Sequence, residues 1–283
     1  MTSVYSRGRK VFKEIPKHLL WGLQRPFRKH DSWPLRIISG PAKGSLLTLD
    51  LRTQGSYWLG TYDNWILNRL NPISHLLSTG ETAWDCGAFV GFYTAVFRNA
   101  VGPTGSIETF EASSKNFNNL NNLPHLNNWN NVSIHHLAVG PDHSNINFAG
   151  ELGGSSGPVG LSKTYEGAPS TESVQCAGLD ELLEEYRIPV PRLIKLDLES
   201  AEEQALHNGH LLFTRHRPNM ILEWHGMQVL DSIARFLDIY KYSAWDVVNY
   251  QSNPSLRRKQ INPKNLEKEA KSGMSNTLIC LPV

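Results

Sequence analysis

Thr82-Ala83-Trp84-Asp85-Cys86-Gly87-Ala88-Phe89-Val90-Gly91-Phe92-Tyr93 reads as an apolar strand that ends in an acid, turns on glycine and enters a helix. Glycine carries no Cβ, so Gly87 and Gly91 let the backbone turn tightly and approach a ligand closely. The helix that follows would aim its free N–H groups into the turn. Such a turn suits a nucleotide-like cofactor at the carboxyl end of a parallel sheet. The spacing, D-x-G-x-x-x-G, is neither the three-glycine dinucleotide fingerprint nor a phosphate loop ending in Gly-Lys-Ser/Thr. A ligand-free glycine turn has the same sequence, so the stretch needs the rest of the chain to decide it.

Downstream, strands and helices alternate. A helix from Gly91 to about Ala100 stops at Gly102-Pro103 and Gly105, and Ser106–Phe110 is a strand ending in Glu111. A helix over 115–123 and a strand over 132–139 follow. Residues 140–178, rich in Gly, Ser and Pro, are too long for a structureless loop, and Phe148 and Val174-Gln175-Cys176 point to a long hairpin or flap. Strands are expected at 193–197, 220–223, 244–250 and 276–283, with helices at 179–186, 201–214 and 229–240. This alternation implies an α/β fold with a mainly parallel sheet covered on both faces. The last two strands lack a clear helix between them and are expected to pair antiparallel.

Upstream, 35–50 reads as a hairpin, and 62–77 has helical spacing with a kink or break at Pro72. We divide the chain into a basic arm and hairpin (1–54) and a main domain (55–283). Nine of the sixteen residues from Asn116 to Asn131 are asparagine, a bias that reads as a solvated helix and loop.

A net charge of +2 argues neither for nor against nucleic acid, which is not among the expected partners, and no run approaches the length of a membrane span. No charged-then-apolar leader follows Met1. Cys86, Cys176 and Cys280 are scattered and lack metal-ligand spacing, which fits a reducing, cytoplasmic setting. Residues 1–31 hold eight Lys/Arg against two acids, interleaved with Phe12, Ile15, Leu19, Leu20, Trp21, Leu23 and Phe27. That arm is a peripheral anchor on an anionic membrane, a solvated arm, or a helix packed on the main domain. Arg257-Arg258-Lys259 reads as part of a solvated loop.

Acids stand at successive strand ends, where open α/β sheets bind ligands. Asp85 precedes the glycine turn. Glu111 ends the next strand and suits the hydroxyls of a ribose. In Lys195-Leu196-Asp197-Leu198-Glu199-Ser200-Ala201-Glu202-Glu203, an extended strand would set Asp197 and Glu199 on one face about 7 Å apart. Such a pair can act as a base, as metal ligands, or as an anchor for a cation. Ser200 and Glu203 have capping-box spacing. Glu223-Trp224-His225 ends the next strand and brings a carboxylate and an imidazole beside that pair. Asp142, past the third strand, joins the cofactor-binding candidates.

Gly60-Thr61-Tyr62-Asp63, the stretch 84–94, Phe110-Glu111-Ala112, Leu179-Asp180, the stretch 194–202 and Pro218–His225 stand in order. Together the set resembles the FkbM-type methyltransferases. The resemblance covers roughly 55–283 and implies a Rossmann-like seven-stranded sheet with an antiparallel last strand. It implies S-adenosyl-L-methionine as cofactor, held by Asp85, Gly87, Gly91 and Glu111. It also implies methylation of a hydroxyl, often on a sugar or natural product. Three positions depart from that pattern: Ser200 where glycine is usual, Phe89 where asparagine is usual, and Asp63 where glutamate is usual. The chemistry would be base-assisted SN2 transfer, with His225 as the base and Asp197 or Glu199 orienting it or binding a divalent metal. Aromatic residues of 55–66 and the 140–178 flap can line a site for a small-molecule, sugar or lipid-linked glycan acceptor. Two other readings stay open: a methyltransferase-like module that binds a partner without catalysis, and an NAD-dependent oxidoreductase, which the missing third glycine disfavours.

Overall fold

A computed structural model describes residues 32–71, 73–152, 155–158, 171–257 and 259–283. The basic arm, the break expected at Pro72, Gly153-Gly154, residues 159–170 and Arg258 lie outside the described residues. The chain opens with a hairpin of β1 (Trp33–Arg36) and β2 (Leu46–Leu49). The 62–77 stretch breaks into a helix at Asn64–Leu67 and a 3-10 turn at Ile73–His75, after a helix at Gly55–Leu59.

The main sheet is built from β3 (Thr82–Cys86), β4 (Ser106–Glu111), β5 (Val132–His136), β10 (Leu193–Asp197), β11 (Asn219–Glu223), β12 (Tyr242–Asp246) and β13 (Thr277–Pro282). The strand order is β12-β13-β11-β10-β3-β4-β5, parallel except for β13, which runs antiparallel to both β11 and β12. The expected antiparallel pairing of the last two strands is therefore present, with a short helix at Leu266–Lys271 between them. The chain moves outward from β3 to β5 and then returns to the other side of β3. That reversal creates a switch point between β3 and β10.

The sequence alternation explains how both faces are buried. Ala83, Ile107, Leu193, Ile221 and Ile279 pack beneath the helix Phe92–Val101, while Trp84, Phe110, Ile194, Leu196, Met220 and Leu222 pack on the opposite face. The hairpin joins the first of these cores through Leu47 and Leu49, and Asn127 clamps it by bonding both the N–H and the C=O of Leu46.

The stretch 132–139 is two strands. After β5 the chain steps through Leu137 into β6 (Ala138–Val139), which joins a second sheet with β7 (Ser144–Leu152), β8 (Ser155–Pro158) and β9 (Thr171–Ala177) in the order β6-β9-β7-β8. The expected flap is this sheet.

The asparagine run is less solvated than its composition suggests. Asn116 is buried, Asn127 clamps the hairpin, and Asn131 bonds the carbonyls of Gly102 and Gly105 and accepts from Arg98. No described helix is long and apolar enough to cross a membrane. The three cysteines are free and buried, and burial pushes the Cys86 thiol well above its ordinary range.

Candidate active site

The period of two that buries the sheet also gathers the charged groups. Asp85 in β3, Glu111 at the end of β4, Lys195 and Asp197 in β10 and Glu223 in β11 alternate in step with Ala83, Ile107, Leu193 and Ile221. They therefore share the face under the helix Phe92–Val101. Register brings them side by side: Lys195 pairs with Asp85, and Asp197 with Glu223. A cleft of about 230 Å³ opens over these strand ends, with Gly87, Glu111, Lys195, Asp197, Glu199, Glu223 and His225 among its lining residues. Tyr57, Tyr62, Phe89 and Phe92 supply aromatic lining, and Ile146, Phe148 and Pro158 reach it from the second sheet.

Glu111 is 5% exposed and held from three sides. One oxygen accepts the N–H of Phe89 at 2.8 Å, and the other accepts those of Ser113 at 2.9 Å and the Asn116 amide at 3.4 Å. Burial outweighs these bonds and pushes its pKa up to about 7. Phe89 reaches this amide contact with φ +52, a left-handed conformation.

Gly87 and Gly91 both have positive φ, as a tight turn requires. The close contacts made possible by their missing Cβ atoms are with the protein itself. A Cβ on Gly87 would lie 1.9 Å from the Asp197 carbonyl oxygen, and one on Gly91 would lie 2.7 and 2.8 Å from the Leu120 and Leu123 methyls. Gly87 lines the cleft; Gly91 faces helix packing instead.

Lys195, to which the sequence reading gave no role, is buried at the centre. Its ammonium lies 2.9 Å from Asp197, 3.9 Å from Asp85 and 3.4 Å from the Gly87 carbonyl, and sits over the Tyr93 ring. Burial opposes that charge, but Asp197 and then Asp85 and Glu223 outweigh it and hold the ammonium above its ordinary range. The signal was a lysine inside the apolar run Leu193-Ile194-Lys195-Leu196. Asp85 does not itself reach the cleft. Its Oδ2 accepts from Thr94 at 2.6 Å, its Oδ1 has no hydrogen-bond partner, and burial raises its pKa. Asp63 accepts from the Tyr93 hydroxyl at 3.1 Å, and burial raises it to about 6.

After β10 the chain leaves the extended conformation, so the two-residue spacing of Asp197 and Glu199 is not what places them. Glu199 and Ser200 have φ of +51 and +91. The capping box expected from Ser200 and Glu203 is absent. Glu203 bonds Ser232, while Glu202, fully buried, accepts the N–H groups of Leu198 and Ser200. The next helix runs Glu202–His207 with Ala201 before it.

The ends of β10 and β11, that loop and the start of the next helix bring four carboxylates to one imidazole. His225 Nε2 stands 3.8 Å from Asp197, 3.9 Å from Glu199 and 3.9 Å from Glu223, and its Nδ1 lies 2.8 Å from Glu202. Burial works against a charge on His225, but the Glu202 hydrogen bond and the surrounding carboxylates outweigh it and carry the pKa to about 10. The imidazole expected as the base is oriented by Glu202 rather than by Asp197 or Glu199, and the carboxylates around it favour its protonated form. Glu223 is raised to about 8, by burial first and then by Asp197 and Asp63.

Asp142 is placed elsewhere. Its carboxylate packs against Gly178, close enough to exclude a Cβ there, and it is not among the residues lining the cleft. Burial, with Glu181 nearby, raises its pKa.

The family model of the methyltransferase FkbM domain matches residues 85–244. Among solved structures, the chain is similar to an FkbM methyltransferase from Methylobacillus flagellatus KT, at 12% identity and TM-score 0.45, covering 81% of this chain and 59% of that one. It is also similar to Aeropyrum pernix fibrillarin, solved with natively bound S-adenosyl-L-methionine, at 11% identity and TM-score 0.39, over 73% and 68% of the two chains. A third similar structure is precorrin-6y C5,15-methyltransferase from Geobacter metallireducens GS-15, at 14% identity and TM-score 0.39, over 62% and 72%. No curated protein matches the sequence significantly.

Proposed function

The chain belongs to the FkbM methyltransferase family, and from that premise we propose that it is an S-adenosyl-L-methionine-dependent O-methyltransferase acting on a hydroxyl of a sugar, glycan or natural product. The observation that carries this reading is the convergence of Gly87, Glu111, Asp197, Glu223 and His225 on one cleft at the β3–β10 switch point. Glu111 fits a nucleoside: its oxygens accept N–H groups from the protein, and an ionised carboxylate has further lone pairs for ribose hydroxyls. Asp197, Glu199 and Glu223 fit a cationic guest. Phe148, Pro158 and the aromatic residues give apolar surfaces for a sugar ring or a lipid-linked glycan.

When bound, the cofactor supplies a sulfonium methyl that an oxygen nucleophile takes in line, leaving a neutral thioether. The protein must align the acceptor and take its proton. His225, whose Nε2 faces Asp197, Glu199 and Glu223 while Glu202 holds the ring, or one of those carboxylates takes it.

Calorimetric titration with S-adenosyl-L-methionine tests the cofactor. The expected result is binding that Glu111→Ala weakens at least tenfold. Methyl transfer to a panel of hydroxyl acceptors then tests the activity. Absence of cofactor binding by the wild-type chain refutes the reading.

A further inference from the structure

Two trios of His, Asp and Glu among the described residues bring three ligand atoms within 4.8 Å of one another. They differ in a telling way. In His143, Glu181 and Glu185, both ring nitrogens have closed onto carboxylates, at 3.2 and 3.1 Å. That trio is a satisfied ion-pair cluster.

In Asp197, Glu223 and His225, the ring nitrogen facing the carboxylates has closed onto none of them, with separations of 3.8 and 3.9 Å. Two donors bound to one cation at about 2.1 Å each stand roughly 3.0 to 4.2 Å apart, depending on the angle between them. The observed gaps fall inside that range and beyond hydrogen-bonding distance. The other ring nitrogen is tied to Glu202, which is fully buried and keeps its Oε2 without a hydrogen-bond partner. A carboxylate behind a histidine holds Nδ1–H and leaves Nε2 for a metal, so a cation bound there displaces the Nε2 proton. The remaining bonds of Glu202, from the N–H groups of Leu198 and Ser200, lock the loop that carries Glu199.

We propose that Asp197, Glu223 and His225 Nε2 form a divalent-cation site of the Mn²⁺ or Mg²⁺ kind, with Glu202 as the positioning residue behind the imidazole. Two carboxylates and one imidazole leave coordination positions open toward the cleft. Those positions fit an acceptor with two neighbouring oxygens, such as a vicinal diol. A bound cation lowers the pKa of a ligated hydroxyl, and Glu199, outside the trio and 3.9 Å from the same nitrogen, is placed to receive the proton. In the transfer itself, the oxygen lone pair forms the new C–O bond, and the methyl–sulfur pair returns to sulfur. The acceptor part of this rests on the methyltransferase reading; the cation site does not.

The test is titration of the chelator-treated full chain with Mn²⁺ alone, followed by calorimetry and electron paramagnetic resonance of free Mn²⁺. The expected result is one Mn²⁺ per chain. Asp197→Asn and Glu223→Gln should each weaken it at least tenfold, and Glu202→Gln should weaken it tenfold to a hundredfold. His143→Ala should leave it unchanged. Thermal melts identify any variant that fails to fold, in which case the remaining ligand variant decides. No Mn²⁺ bound by the wild type overturns the proposal, as does binding lost in His143→Ala but kept in both ligand variants. A parallel titration with S-adenosyl-L-methionine separates the two ideas. Cofactor binding without Mn²⁺ sinks the cation site alone, whereas Mn²⁺ binding without the cofactor supports the site and removes the methyltransferase reading.

Discussion

His225 Nδ1 and Glu202 Oε1 stand 2.8 Å apart, and the same oxygen accepts the Leu198 and Ser200 N–H groups at 3.1 and 3.3 Å. One buried atom therefore holds both the imidazole and the loop after β10. Replacing Glu202 by Ala leaves two amides and the half-buried His225 ring without their acceptor. We expect a loss of about 3–5 kcal/mol in urea unfolding of metal-free protein.

The same pair gives a pH signature. The His225 pKa is raised from 6.5 to about 10 in the folded chain. Its stabilising contribution is thus fully present below about pH 6.5 and is lost as pH rises through about 10. Metal-free wild type should lose thermal stability between pH 7 and 10. Glu202→Gln should flatten that decline, and an imidazole resonance followed by NMR should titrate at lower pH. An unchanged profile in the variant would mean that another group governs this window.

Glu111, raised to about 7, sets a second pH dependence. Ribose hydroxyls are best accepted by the ionised form. Below about pH 7, the affinity for S-adenosyl-L-methionine should fall about tenfold per pH unit. Calorimetry from pH 5 to 8 measures the slope, and Glu111→Gln should bind weakly with little slope.

The two glycines of the opening motif should respond differently. Gly87→Ala forces a Cβ to 1.9 Å from a backbone carbonyl, which cannot yield locally. A loss of about 3 kcal/mol or more is expected, together with loss of cofactor binding. Gly91→Ala meets leucine methyls at 2.7 and 2.8 Å, which can move. Its cost should be about 1–3 kcal/mol. Equal losses would show that φ, positive at both sites, matters more than the contacts.

Ser200 has φ +91, a conformation suited to glycine. Both Ser200→Gly and Ser200→Ala remove its hydroxyl bond to the His225 carbonyl, so their difference isolates the backbone term. The glycine variant should be the more stable by about 1 kcal/mol in chemical denaturation.

The architecture was legible because alternation along β3, β4, β10 and β11 leaves little freedom in which face is buried, and because Gly102 and Gly105 punctuate the first crossover. The stretch 62–77 is only partly helical because its apolar spacing serves two short pieces, Asn64–Leu67 and Ile73–His75, whose apolar neighbours fill the first core. At the site, Asp197, Glu223 and His225 could be located as strand ends. Glu202 could not: in Glu202-Glu203 either acid has a plausible capping role, and the choice depends on positive φ at Glu199 and Ser200, which neither residue type advertises. Asp142 lies apart from the cleft lining because it follows a two-residue strand of the second sheet, and a turn after so short a strand carries no signal of which sheet it follows. The rise in the His225 pKa was not legible, because it depends on four carboxylates supplied by separate parts of the fold.

Gly87 has a further consequence. Its Cα leaves no room for a side chain beside the Asp197 carbonyl, and Lys195 spans from the Gly87 oxygen to the Asp197 carboxylate. The glycine turn and the acidic strand end are thus mechanically yoked. Displacement at either one is transmitted across a single backbone contact and one ammonium. Guests on the two sides of the cleft should therefore be thermodynamically linked: whatever factor the first applies to the affinity of the second, the second must return to the first.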